Sequence, residues 1–161
     1  MARSLRFLTL GFALALCACG KDDSTSKPSA DADTAAAPSP PTSGIFAPVD
    51  EVAKTWGAFD FYGPHATMAG FQGHLALEPV GTLPATAGEP LAGAQVYRIV
   101  NAKELHDQSA HRDYRCLSPA LWLAIKTGTP QIHVALFMME DWKTFAPGKP
   151  GLCGSGIYEP G

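Results

Sequence analysis

The chain lacks a run of apolar residues long enough to cross a bilayer. Its most apolar stretch, Leu8 to Leu16, is broken by Thr9 and Gly11 and falls far short of the roughly 20 residues a spanning helix needs. It also lacks any basic cluster: 12 Lys and Arg stand against 15 Asp and Glu, a net charge of −3, which argues against a nucleic-acid partner. There is no Gly-x-Ser-x-Gly elbow, no Cys-x-x-Cys pair, no glycine loop of phosphate-cradling spacing and no internal repeat. Ordinary helices have little room after residue 45, because Gly and Pro interrupt most windows longer than about ten residues.

What is present begins at the N-terminus. Arg3 and Arg6 precede the apolar stretch, and small residues with two cysteines close it, the three-part pattern of an export signal. Leu16-Cys17-Ala18-Cys19 resembles the lipobox of bacterial lipoproteins, in which a cysteine is acylated and becomes the new N-terminus. Cys19 fits the acylated position, with small Ala18 before it and aliphatic Leu16 at the third position before it; bulky Leu16 directly before Cys17 disfavours that residue. The resemblance implies three acyl chains on Cys19 and permanent membrane attachment, since each buried methylene contributes about 0.8 kcal/mol. In that family an Asp directly after the cysteine retains the protein at the inner membrane. Gly20 stands there, so the resemblance implies the outer membrane, facing the periplasm.

The chain then divides in composition. Residues 1–18 are the expected signal peptide and residues 19–44 the lipidated cysteine and a tether. Lys21 to Ser43 holds Asp, Ser, Thr, Ala and Pro without an aromatic or large aliphatic residue. Such a segment cannot offset backbone ordering entropy by burial and is expected to be disordered. Residues 45–161 hold all three tryptophans and all four tyrosines, and the length suits one domain. Loss of Arg3 and Arg6 takes the net charge from −3 to −5.

Within 45–161 the alternation is of the β type. Leu121 to Thr127 and Ile132 to Met138, joined by Gly128-Thr129-Pro130-Gln131, predict a hairpin. The first run is apolar on both faces until Lys126, which predicts a strand covered on both sides. Further strands are expected at Gln95 to Val100, at Gly73 to Glu78 with Pro79 ending it, and at Gly154 to Tyr158. Gly154-Ser155-Gly156 doubles as a candidate tight turn, and Trp56 to Tyr62 is ambiguous. Short helices are expected at Asp50 to Trp56 and at Ala102 to Gln108. The expected fold is mainly β, a single antiparallel sheet, sandwich or open barrel with one or two short helices.

Cys116 and Cys153 remain in the exported domain and read as a disulfide. Closing a loop of about 37 residues stabilises by about 4 kcal/mol on the chain-entropy model. Among candidate metal ligands, His106 and His111 lie near Asp107 and Asp113, but a spacing of five separates them on a helix and opposes them on a strand. They read as a solvated loop, and His65, His74 and His133 as scattered, so no metal or cofactor is expected. Ser118 and Ser155 lack a nucleophile's setting, and adjacent Glu140 and Asp141 read as exposed loop charge. Trp122, Phe137 and Trp142 read as core aromatics rather than a pocket.

No enzyme is therefore expected. The leading expectation is a lipid-anchored module that binds another protein of the envelope. Its plan of anchor, small β domain and disulfide is similar to that of lipoproteins that inhibit lysozyme or confer immunity to cell-wall hydrolases. Ser155-Gly156-Ile157-Tyr158 is similar to the Ser-Gly-x-x-Tyr of one inhibitor family but one residue shorter. A one-residue shift reverses the face of a strand, so that family's inhibitory residues do not carry over. The alternatives are a small-ligand carrier of the periplasm and an envelope hydrolase.

Overall fold

A computed structural model describes residues 43–109 and 116–161. Cys19, the tether up to residue 42, His111 and Asp113 lie outside the described residues. Eight strands follow in order: β1 (Gly44–Pro48), β2 (Phe59–Phe61), β3 (His65–Met68), β4 (Leu75–Thr82), β5 (Gln95–Ile99), β6 (Trp122–Thr127), β7 (Ile132–Phe137) and β8 (Leu152–Pro160). Helix α1 (Glu51–Trp56) lies between β1 and β2, and α2 (Ala102–Ser109) follows β5. Each strand pairs antiparallel with the next, and β8 returns to pair with β1. The fold is thus mainly β, as the alternation predicts, and takes the barrel form in its closed version.

The β6–β7 hairpin shows why these residues form strands. Its register runs from Trp122 opposite Phe137 to Thr127 opposite Ile132. Leu123, Ile125, Val134 and Leu136 point inward and are essentially inaccessible. Their neighbours Ala124, Ala135 and Phe137 point outward yet are also buried. A second apolar layer explains this: Leu83, Ala87 and Leu91 from the β4–β5 connection and Trp142 and Phe145 from the β7–β8 connection cover that outer face. The Phe137 and Phe145 rings meet edge to face at 4.8 Å, and Trp122 Nε1 donates to the Met139 carbonyl at 2.8 Å. Two covered faces account for the uninterrupted apolar run of β6.

One end of the barrel is closed by helices. Asp50 caps α1, its Oδ1 accepting from Ala53 N at 2.7 Å. Ala53 and Trp56 are buried against the inner face of β8. The register places Gly154 opposite Leu136 and Gly156 opposite Val134, both inward. A Cβ at Gly156 would lie 3.0 Å from the Ala53 Cβ and 3.1 Å from its backbone nitrogen, and one at Gly154 would lie 2.9 Å from the Trp56 ring. Gly154 to Gly156 is therefore strand rather than a tight turn, and its glycines make room for a helix. Leu105 of α2 and Phe71 of the β3–β4 turn fill the same end. There the Cys116–Cys153 disulfide, with Cα atoms 4.8 Å apart, ties the start of β8 to the segment preceding β6.

Other boundaries differ from the sequence expectation. β4 continues through Pro79 to Thr82, with a register shift between Pro79 and Gly81 that absorbs the missing N–H. β1 and β3 have no clear alternation of their own; pairing with β8 and β4 holds them extended.

Candidate functional site: the open end of the barrel

The end opposite the helices is made by the start of β1, the β2–β3 turn, the β6–β7 turn and the C-terminus. Inward alternation along each strand brings a last layer of side chains to this opening: Phe46, Phe61, Tyr97 and Ile132 form its floor. Two lobes lie above it. One, of about 470 Å³, is lined by Phe61, Gly63, Pro64, Pro79, Gln95 and Tyr97. The other, of about 370 Å³, is lined by Phe46, Thr127, Pro130, Ile132 and Pro160 among others. Ser43 borders both, so the first described residue stands at the open end.

The lining is apolar with few polar groups. The Phe61 and Tyr97 rings pack edge to face at 5.7 Å. Burial pushes the Tyr97 phenol above its ordinary value, so it is a neutral hydrogen-bonding group throughout physiological pH. Gln95 Nε2 donates to the Gly81 carbonyl at 2.8 Å, which fixes its amide at the rim. Volumes of this size with a few placed polar groups are those of small-molecule sites, and an eight-stranded barrel is just wide enough for side chains or one small ligand.

One layer below the Phe46–Pro160 pair, Tyr158 lies fully buried on β8, its ring 5.7 Å from that of Phe59. Its hydroxyl has no hydrogen-bond partner among the described residues. Burial first, and the Asp50 carboxylate second, push its phenol far up.

The other residues weighed from sequence are dispersed. Ser118 is exposed before β6, and Ser155 faces outward on β8 opposite Ala135. Ser155 and Tyr158 lie on opposite faces of β8, as their odd spacing requires. His106 is half-buried on α2, where Asp107 pairs with Lys103 at 2.7 Å. Asp141 caps a short 3₁₀ turn at Trp142–Thr144 through Lys143 N. Trp122, Phe137 and Trp142 belong to the outer apolar layer. Two histidines that look scattered in sequence share a neighbour: His65 and His74 both pack on Tyr62. The floor of the mouth escaped sequence reading except through the alternation of Gln95, Tyr97 and Ile99, which says that they share a face and not what the face encloses. Comparison with protein-family models, with curated proteins and with solved structures gives no match to this chain.

Proposed function

We propose that this chain is a lipid-anchored protein of the bacterial envelope that works by binding rather than by catalysis, and that it takes one compact apolar ligand at the open end of its barrel. The observation that carries the reading is the asymmetry of the barrel. One end is filled by Trp56, Phe71 and Leu105, and the depression of about 560 Å³ on its surface is lined by charged Lys103, Glu104 and Asp107, while the other holds two apolar lobes beside Ser43, where the tether begins. An acyl anchor at Cys19 would hold that mouth within reach of lipid, from which an apolar ligand is drawn. The closed ladder leaves no strand edge among the described residues, so a peptide cannot bind by extending the sheet.

Native mass spectrometry of the protein released from envelopes tests this. The expected result is a stoichiometric small adduct that a Ser43→Trp change at the mouth displaces. A bare mass for wild type and variant alike would overturn it.

A protein partner is the second reading. It is favoured by Leu117, the most exposed large aliphatic among the described residues at 89%, beside the disulfide at the helical end. Crosslinking in intact envelopes separates the two readings: a specific protein captured through the Leu117 face supports this one.

A further inference from the structure

We propose that the ligand of the mouth is uncharged and is anchored by one hydrogen bond from the Tyr97 hydroxyl to a carbonyl-type acceptor, a proposal that rests on the open end being the ligand site. A carboxylate of the same shape is rejected.

Strand alternation keeps charge off the lining. Gln95 and Tyr97 are two residues apart on β5 and share one face, turned into the lobe of about 470 Å³. Val96 and Arg98 face the other way, Val96 into the outer apolar layer and Arg98 to an ion pair with Glu78. Asp60, Lys126 and Glu159 likewise stand one step from Phe61, Ile125 and Tyr158 of the inner core, and so point outward. Among the described residues, no Lys, Arg, His, Asp or Glu side chain lines either lobe.

The polar side chains that do line the first lobe are Tyr97, Gln95 and Ser43. Tyr97 is buried, and its hydroxyl has no hydrogen-bond partner among the described residues. Gln95 Nε2 is already committed, donating to the Gly81 carbonyl at 2.8 Å and to the Val96 carbonyl at 3.4 Å. Ser43 is exposed at the rim. Tyr97 is therefore the one buried side-chain donor left for a ligand in this lobe. Burial holds its phenol protonated, so the donor persists through physiological pH.

This lining selects by charge. A phenol can donate to a ketone, ester or amide oxygen, while Phe61, Pro64 and Pro79 cover the apolar body beside it. A carboxylate entering the same space gives up its hydration for a single donor, with no cation to offset the loss. A buried acceptor left short of partners costs more than a missing apolar contact, so the discrimination exceeds what shape alone would give.

Calorimetric titration of the full chain carrying Cys19→Ala tests this with three naphthalenes of nearly one shape: 2-acetylnaphthalene, 2-naphthoate and 2-ethylnaphthalene. The ketone should bind one-to-one and saturably at pH 7, and the carboxylate at least about tenfold more weakly. Tyr97→Phe should weaken the ketone about fivefold, the loss of one hydrogen bond, and leave the hydrocarbon unchanged. A merely structural effect of the variant would move ketone and hydrocarbon together, and circular dichroism checks its folding. Equal affinity for ketone and carboxylate, an unchanged ketone affinity in Tyr97→Phe, or equal weakening of ketone and hydrocarbon would overturn the selectivity and leave the mouth as a ligand site. No saturable binding of either neutral compound would overturn both.

Discussion

Asp50 and Ile157, separated by 107 residues, are joined by a hydrogen bond: Ile157 N donates to Asp50 Oδ2 at 3.1 Å while Oδ1 accepts from Ala53 N. One carboxylate thus caps α1 and occupies the ladder position that β1 vacates after Pro48, where Val49 N donates to the Ile157 carbonyl at 2.8 Å. Asp50→Ala removes a helix cap and a charged hydrogen bond, a loss of about 2–3 kcal/mol. The midpoint of thermal unfolding should fall by about 10 °C at this chain length. Asp50→Asn, which keeps one acceptor, should lose about half as much. An unchanged midpoint in Asp50→Ala would remove this residue from the account of the helical end.

The fit of α1 on β8 makes a second expectation. Gly156→Ala places a methyl against the Ala53 backbone, which cannot swing aside, and overpacking of this kind destabilises by about 1–3 kcal/mol. Ala53→Gly opens space at the same point and loses about 1 kcal/mol of helix propensity on its own. The double variant should be more stable than the sum of the two single losses implies. Simple additivity in denaturant unfolding would assign the overpacking to the Ala53 backbone alone and leave its methyl out of the contact.

Much of this was legible in the sequence, and the reason is locality. The β6–β7 hairpin is written in adjacent alternating runs around Gly128-Thr129-Pro130-Gln131, and the short helix expected at Asp50 to Trp56 lies within one continuous stretch. The Cys116–Cys153 pairing follows from the single pair of cysteines left after the N-terminal motif. Closure of the barrel did not show, because Phe46 meets Pro160 across the length of the domain. Gly154 and Gly156 look like a turn until α1, about a hundred residues earlier, is laid on them. His65 and His74 come to share Tyr62 as a neighbour only through the joint register of β2, β3 and β4. For the same reason a protein partner leads on sequence alone, whereas the lobes of the mouth move the weight to a ligand.

Reduction of the Cys116–Cys153 bond should lower stability by up to about 4 kcal/mol, chiefly by freeing the unfolded chain. Chemical unfolding of the oxidised domain beside Cys116→Ser/Cys153→Ser measures it. The double variant should unfold at lower denaturant; coincident curves would contradict the staple.

The Tyr158 hydroxyl is buried with no partner among the described residues, and an unsatisfied buried group costs about 1–3 kcal/mol. Tyr158→Phe should therefore stabilise the fold by about 1 kcal/mol. The pH dependence has a definite sign. The folded state holds this phenol protonated above its ordinary value of 10.0, so the unfolded chain loses the proton first. The neutral phenol's contribution is complete below pH 10 and falls as pH rises above it. Unfolding free energies from pH 9 to 11 should decline less steeply in Tyr158→Phe than in wild type, and equal slopes would assign the alkaline loss to other groups.

The most direct measurement is fluorescence titration of the Cys19→Ala chain with a neutral naphthylamine probe. Wild-type mouth geometry should give saturable one-to-one binding, weakened at least tenfold by Ser43→Trp together with Thr127→Trp at the two lobes and untouched by Leu117→Ser at the far end. Equal affinity in the blocked variant, or loss of binding in Leu117→Ser alone, would contradict a ligand site in the open end of the barrel.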